Sequence, residues 1–350
     1  MTAVLVSPQL TPSMARGKGV WAAAAMRFRT DHVGMASLVI VAIFLLVVLA
    51  SGLGLVARDW QAERGVPDAP PTFLGPAAKT ESVAVAAPSG PNVDISAVDP
   101  LAPRYAEWAE AAKKYQTQIV VKADTLPFGG DRLGRDVLAK AIKGAQVSIL
   151  VGVSAAVLAT LIGTLLGAVA GFFGGKAGDL LEWVYNVFTA IPSILLIFAF
   201  AAVFGRGIGS VVLILGLAGW TGIYRLVRAE FIKHAVRDYV RSAEAIGASN
   251  ASRMFRHILP NVSHVVLVQL SIHVVGFIKS EVILSYLGLG VGVDQVSWGT
   301  MLSEAQSELI LGHWWQLAAA TIFMAVFVTA FSLMTDALRD ALDPKLRGLE

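Results

Sequence analysis

The chain has 350 residues and a net charge of +3 at neutral pH; 55% of the residues are hydrophobic and only 15% are charged. Soluble domains carry about 25% charged residues, so this deficit, with several long uncharged runs, excludes an ordinary soluble domain and places the chain in the membrane class. It holds no cysteine, which excludes disulfides, thiolate metal sites and thiol catalysis and leaves the redox compartment unread.

Residues 1–32 read as a short basic segment ahead of the first of six runs long enough to cross a bilayer, which takes roughly 20 residues. The first run, Val33 to Ala57, is uncharged. It is too long for a signal-peptide core and no A-x-A site follows closely, so it is expected to stay as a span. Residues 58–143 form a long polar loop. Its stretch PDAPPTFLGPAAKTESVAVAAPSGPNVD favours extended or poorly ordered chain over a packed core. Within the loop, Leu101 to Thr117 reads as a short helix with Tyr105, Trp108 and Ala112 near one face. The loop is either a contact surface for an external partner or a tolerated insertion. The insertion is favoured, because lengthening a loop costs little.

The remaining five spans occupy 144–335. The second lies within Gly144 to Gly175, where Gly163, Gly167 and Gly171 recur every four residues and offer a stripe for close backbone packing. The third is Trp183 to Gly205, and Pro192 inside it should kink the helix. The fourth, Gly207 to Tyr224, is the shortest. The fifth runs from about Ile258 to Ile278 and the sixth from Trp314 to Thr335. Trp298, Trp314 and Trp315 fit an aromatic belt at the outer face. Lys279 and Glu281 close the fifth span as candidates for the pathway or an outer gate. They sit two apart, so they do not face each other on a helix, and an interfacial or structural role is preferred. The six histidines are scattered and predict no metal site.

Lysine and arginine decide orientation, and loops beyond about 60 residues barely count. Leaving out the long loop and Lys279, which closes the fifth span, fifteen basic residues fall on the side of the termini and one, Arg206, opposite. Both termini are therefore expected in the cytoplasm, with 336–350 as a cytoplasmic tail. No G-x-x-x-x-G-K-[ST] phosphate loop is present, and no Ser/His/Asp or metal-hydrolase set stands out. Charges in the spans are too sparse for a proton relay. The chain reads as an all-α polytopic membrane protein, not an enzyme, driven by energy from elsewhere.

The cytoplasmic segment 225–263 carries the sharpest signal, YVRSAEAIGASNASRMFRHILPN from Tyr239 to Asn261. Tyr239, Ala243 and Ile246 share a helix face, and Gly247 suits a left-handed helix end. Ser249 or Asn250 can cap a second helix through Arg253, Met254 and Arg256, and Pro260 lets the chain turn into the fifth span. Small residues (Ser242, Ala243, Ala245, Ala248) would admit the surface of a partner. The plain alternative is a solvated amphipathic loop on anionic lipid.

RSAEAIGAS followed by RHILPN resembles the EAA loop of binding-protein-dependent ABC importer permeases. More narrowly, the chain is similar to the C-type subunit of the dipeptide, oligopeptide and nickel importers. The likeness covers about Phe128 to Arg347, and weakly the segment before the first span. It also rests on DRLGRDVLAKAIKGAQVSILVG (Asp131 to Gly152), GTLLGAVAGFFGG (Gly163 to Gly175), ILSYLGLG with SWGTML (Ile283 to Leu302) and DALRDALDPKLR (Asp336 to Arg347). Ala243 and Gly247 match the motif's second alanine and its glycine. The motif's glutamate position holds Arg241 and its first alanine is Ser242; either Glu244 supplies the acidic contact or that contact is absent. The loop before Asp131 is longer than the family usually has.

The resemblance implies a type I ABC importer permease fold in a bacterial inner membrane. It implies a coupling site at Arg241, Ser242, Ala243, Glu244, Ala245, Gly247, Ala248 and Ser249. The implied partners are a second (B-type) permease, two cytoplasmic ABC ATPases, a periplasmic or lipid-anchored substrate-binding protein and membrane lipid, with no nucleic acid. No cofactor is implied for this chain; ATP and Mg would sit in the ATPases. The cargo would be dipeptides or oligopeptides. The alternatives are nickel or another small solute, a non-transporting scaffold using the long loop, or a self-powered secondary transporter, which the lack of paired intramembrane carboxylates disfavours.

Overall fold

The computed structural model describes residues 20–76, 99–113 and 122–342. Among these the regular structure is helical, and β pairing is limited to isolated bridges. Helix α1 (Val20–Thr30) leads into α2 (His32–Gly52), capped by Asp31, whose carboxylate accepts from the Val33 and Gly34 amides. A short helix α3 (Tyr105–Lys113) follows in the long loop, with Tyr105 and Trp108 rings 5.8 Å apart; residues 114–117 of the expected helix lie outside the described residues.

The central element is α4 (Val137–Phe173), whose N-cap Asp136 accepts from the Leu138 and Ala139 amides. At 37 residues and 1.5 Å per residue it is about 55 Å long, more than a hydrocarbon core requires. Next come α5 (Gly175–Ala190) and α6 (Ser193–Phe204), bent by 92° at Ile191 and Pro192. Pro192 brings no N–H, and Ile191 before it is driven to extended geometry (φ −92°, ψ 130°). Helices α7 (Ile208–Gly219) and α8 (Thr221–Ala235) meet at 44°. Then follow α9 (Asp238–Ala245), α10 (Asn250–Ser252), a π turn over Arg253–Ile258, α11 (Leu259–Tyr286), α12 (Trp298–Ile310) and α13 (Trp315–Leu342). Four helices have the length and apolar content to cross a membrane, and two bent pairs raise the number to as many as six.

Helices overrun the expected spans at several ends. Hydropathy marks only the apolar stretch, whereas a capped helix continues until its backbone bonds are interrupted. Thus α4 begins at Val137, ahead of Gly144, and α8 carries the fourth span's helix on to Ala235.

Packing defines two ends. At one, α9 to α11 and the end of α8 gather around Phe231, Val240, Met254 and Ile258. At the other, the N-terminus of α4, α12 and the start of α13 form a cap. Here Trp298 and Trp315 depart from the expected aromatic belt. Trp298 is fully buried and donates Nε1–H to the Ala141 carbonyl at 3.2 Å, and Trp315 donates to Gly130 O at 2.6 Å. A buried indole needs such an acceptor; only Trp314, 43% exposed, keeps a surface position.

The start of the long loop is also better packed than its composition suggested. Residues 65–71 bridge to 123–126, with Ala69 buried against Leu126. The stretch 77–98 lies outside the described residues.

Candidate coupling site

The glycine stripe of α4 builds the platform. A β-carbon at Gly163, Gly167 or Gly171 would lie 2.6, 2.7 or 2.5 Å from the carbonyl oxygens of Trp220, Tyr224 and Arg228 respectively. Two backbones with the same four-residue step therefore run in direct contact, and no side chain fits between them. This holds α8 against α4 and sets where α9 emerges.

The hairpin that follows is closed by backbone bonds. The Ala248 amide donates to Ala243 O and the Gly247 amide to Glu244 O, each at 2.9 Å. With Gly247 at φ +87°, this is the Schellman pattern that a glycine at the helix end favours. Ser249 caps the second helix by accepting from the Ser252 amide at 3.3 Å. Across the turn, Arg253 Nη1 meets Glu244 Oε1 at 2.7 Å, and its guanidinium lies 5.1 Å from the Phe172 ring centre. Glu244 thus faces Arg253 within the hairpin, while Arg241 and Ser242 are exposed.

Two expectations are corrected here. The buried face of α9 is Val240 and Ala243, packed on Met254 and Ile258, and not Tyr239, Ala243 and Ile246. Ile246 lies past the helix end where the chain reverses and is 86% exposed; Tyr239 sits at the rim, its hydroxyl 2.8 Å from His234 Nδ1. Nor does the chain turn at Pro260: the helix runs unbroken from Asn250 to Tyr286. The π turn widens the backbone just before Pro260, and the Asn261 side chain donates to His257 O at 2.7 Å. A proline in a helix interior has no N–H to give and its ring crowds the preceding turn, so the widened turn ahead of it lets the helix pass without a break.

Ile246, Val236 (62% exposed) and Phe255 (43%) project around the hairpin, with Arg237, Arg241 and Arg256 also exposed. The arrangement is an apolar tip ringed by cations on a rigid base.

Lys279 and Glu281 are not brought together. Lys279 is exposed, whereas Glu281 is fully buried and accepts from Ser285 Oγ at 2.6 Å; its Oε2 has no hydrogen-bond partner among the described residues. No group of three or more metal-ligating side chains occurs among the described residues.

Sequence reasoning missed the polar knot of the cap. Lys140 is wholly buried and donates to Asp131 Oδ2, Glu304 Oε2 and Gln316 Oε1 at 2.7, 2.5 and 2.9 Å, which uses all three ammonium protons. Arg135 adds a 2.6 Å contact to Asp131. Burial opposes ionisation of Asp131, but Lys140 outweighs it by charge and hydrogen bond, with Arg135 helping, and the carboxyl lies below its ordinary value. Nearby, burial pushes Glu308 up to about 7, against the opposing pull of the Arg132 amide and the Lys140 charge. The run D-x-x-x-R-x-x-x-x-K was visible in the sequence, but Glu304 and Gln316 are too remote in the chain to be paired with it.

Long apolar helices, a glycine-locked platform and a projecting hairpin define a multi-pass membrane protein. Residues 163–348 match the family described as the binding-protein-dependent transport system inner membrane component, and the chain belongs to that family. It is 36% identical over 220 residues to the dipeptide transport system permease protein DppC of Bacillus subtilis (strain 168), covering 63% of this chain and 69% of that one. It is 36% identical over 238 residues to the oligopeptide transport system permease protein OppC of the same organism, covering 67% and 78%. The glutathione transport system permease protein GsiD of Escherichia coli O6:K15:H31 is 38% identical over 222 residues, covering 63% and 73%. Among solved structures, a chain of the inward-facing MetNI methionine ABC transporter aligns with a TM-score of 0.48 at 13% identity, over 58% of this chain and 96% of that one.

Proposed function

We propose that this chain is the C-type permease subunit of an ATP-driven importer, forming half of a pathway for dipeptides or oligopeptides in a bacterial inner membrane. The observation that carries this reading is the exposed hairpin around Gly247, seated without slack on the α4–α8 platform. In this reading the chain crosses the membrane six times with the hairpin and both termini in the cytoplasm. Residues 241–249 enter a groove on one of two ABC ATPases, Ile246 filling its apolar floor. A B-type permease completes the pathway and a substrate-binding protein delivers cargo at the cap end. ATP and Mg reside in the ATPases. The names of the relatives, dipeptide and oligopeptide permeases, favour peptide over nickel or another small solute.

Replacing Gly247 with valine tests the hairpin. No atom lies within 4 Å of the position of the missing β-carbon, so the cost is conformational, about 1–2 kcal/mol for a side chain held at positive φ. The variant is expected to insert normally, to hydrolyse ATP with its partners and to lose most coupled uptake in proteoliposomes. Uptake at the wild-type rate would refute the assignment of the hairpin. Mass spectrometry of what co-purifies in gentle detergent tests the assembly; a second permease and ATPases are expected.

A further inference from the structure

The cap end holds a cavity that the hairpin reading does not use. It has a volume of about 250 Å³ and lies between the loop joining α6 to α7 and the segment from Ser285 to Glu304. Arg206 forms one wall. It stands between Gly205 (φ +71°) and Gly207 (φ +138°), and the Gly207 amide is tied to Gly290 O at 3.1 Å. Gly288 borders the guanidinium: a β-carbon there would sit 3.7 Å from Arg206 Nη2, an ordinary van der Waals contact.

The charge in this cavity is one-sided. Glu304, opposite, is already paired with Lys140 at 2.5 Å and Arg135 at 3.5 Å. Asp294 near the lip accepts from Gln295 Nε2 at 3.1 Å. Thr300 donates its hydroxyl to Ser297 O. Arg206 has no acidic partner among the described residues, and Ser303 has no hydrogen bond to another side chain among them. An unpaired guanidinium lining the same cavity as a free hydroxyl selects an oxyanion, and its planar fork matches a carboxylate with two parallel bonds. The volume falls below the 300–1,000 Å³ typical of a site enclosing a whole drug-sized ligand, so it suits the end of a molecule.

We propose that this cavity binds the C-terminal carboxylate of the transported peptide, with Arg206 as its anchor and Ser303 as a second donor. The proposal rests on the peptide-importer reading for its ligand. It makes the permease, and not only a binding protein, sensitive to a free carboxyl end.

The cysteine-free chain offers a direct test. Ser303→Cys places a single thiol in the cavity, and its maleimide labelling is followed in the full-length chain, solubilised gently with whatever subunits accompany it. Alanyl-alanine is expected to slow labelling roughly tenfold, the scale of one charge-assisted bidentate contact, and alanyl-alanine amide to leave it unchanged. Adding Arg206→Gln should erase the protection and Arg206→Lys should keep part of it. Equal effects of acid and amide, protection that survives Arg206→Gln, or a thiol that never labels would each overturn the site. Protection by inorganic phosphate but not by the dipeptide would reassign it to a phosphate or lipid headgroup and overturn the peptide version. Uptake of labelled alanyl-alanine separates the two readings. Protection without uptake removes the importer assignment and keeps the site; uptake untouched by Arg206→Gln, with no protection, does the reverse.

Discussion

Lys140 shows how strongly one side chain commits the cap. A fully buried ammonium is tolerated only because three oxygens receive its protons. Lys140→Met removes the buried cation and leaves Asp131 and Glu304 to share Arg135, a change of about 3–5 kcal/mol for a broken buried pair. A large drop in the thermal midpoint of the detergent-solubilised protein should follow, and a near-neutral result would show that the knot reorganises. Glu308 gives the pH counterpart. Its carboxyl titrates near 7 in the fold against 4.5 when unfolded, so burial favours the neutral form. That contribution is complete below about 4.5 and is lost as pH rises through about 7. Asp131 behaves oppositely, its contribution disappearing only in acid below its ordinary value. Glu308→Gln should therefore flatten the decline in thermal midpoint between pH 4.5 and 7, as measured by a dye-free melt across that range.

At the scale of elements, the α4–α8 contact is the strictest constraint. Gly167 faces Tyr224 O and the Arg228 amide so closely that Gly167→Leu must push the helices apart. Overpacking of this kind costs about 1–3 kcal/mol or more, and the hairpin base should move with α8. The measurement is loss of monodisperse protein on size-exclusion chromatography together with reduced coupled uptake. Gly276→Leu, in a helix interior with open space around the position and no positive φ, controls for the loss of a glycine. The stripe itself was legible because its four-residue step is local, and so was the bend at Pro192. Its partner was not: the sequence contains nothing that says the stripe meets α8 and no other helix. Val240 was overlooked for a related reason. One valine amid charged neighbours shows no periodicity, and only the packed Met254 and Ile258 reveal which face turns inward.

For the whole molecule, orientation is the property that the sequence states most plainly. The absence of native cysteine makes it measurable. Ile246→Cys and Trp314→Cys sit at opposite ends on exposed side chains. In right-side-out vesicles an impermeant maleimide should label residue 314 at once and residue 246 only after lysis; the opposite order would invert the topology. Lysine and arginine counts make this prediction because charge bias acts loop by loop. The cap could not be anticipated in that way. It joins residues 131, 140, 304 and 316 through contacts separated by as many as 176 positions, and hydropathy carries no information about such closure.

The unbroken rod from Asn250 to Tyr286 has a mechanical meaning. Its 37 residues span about 55 Å, so it can act as a lever whose short arm carries the hairpin and whose long arm ends beside the cap cavity. A joint at Pro260 would have dissipated a push from below; without one, torque applied at the hairpin arrives at the far end with only the π turn as a compliant element. A displacement imposed at one face is thus carried to the other by the same piece of backbone.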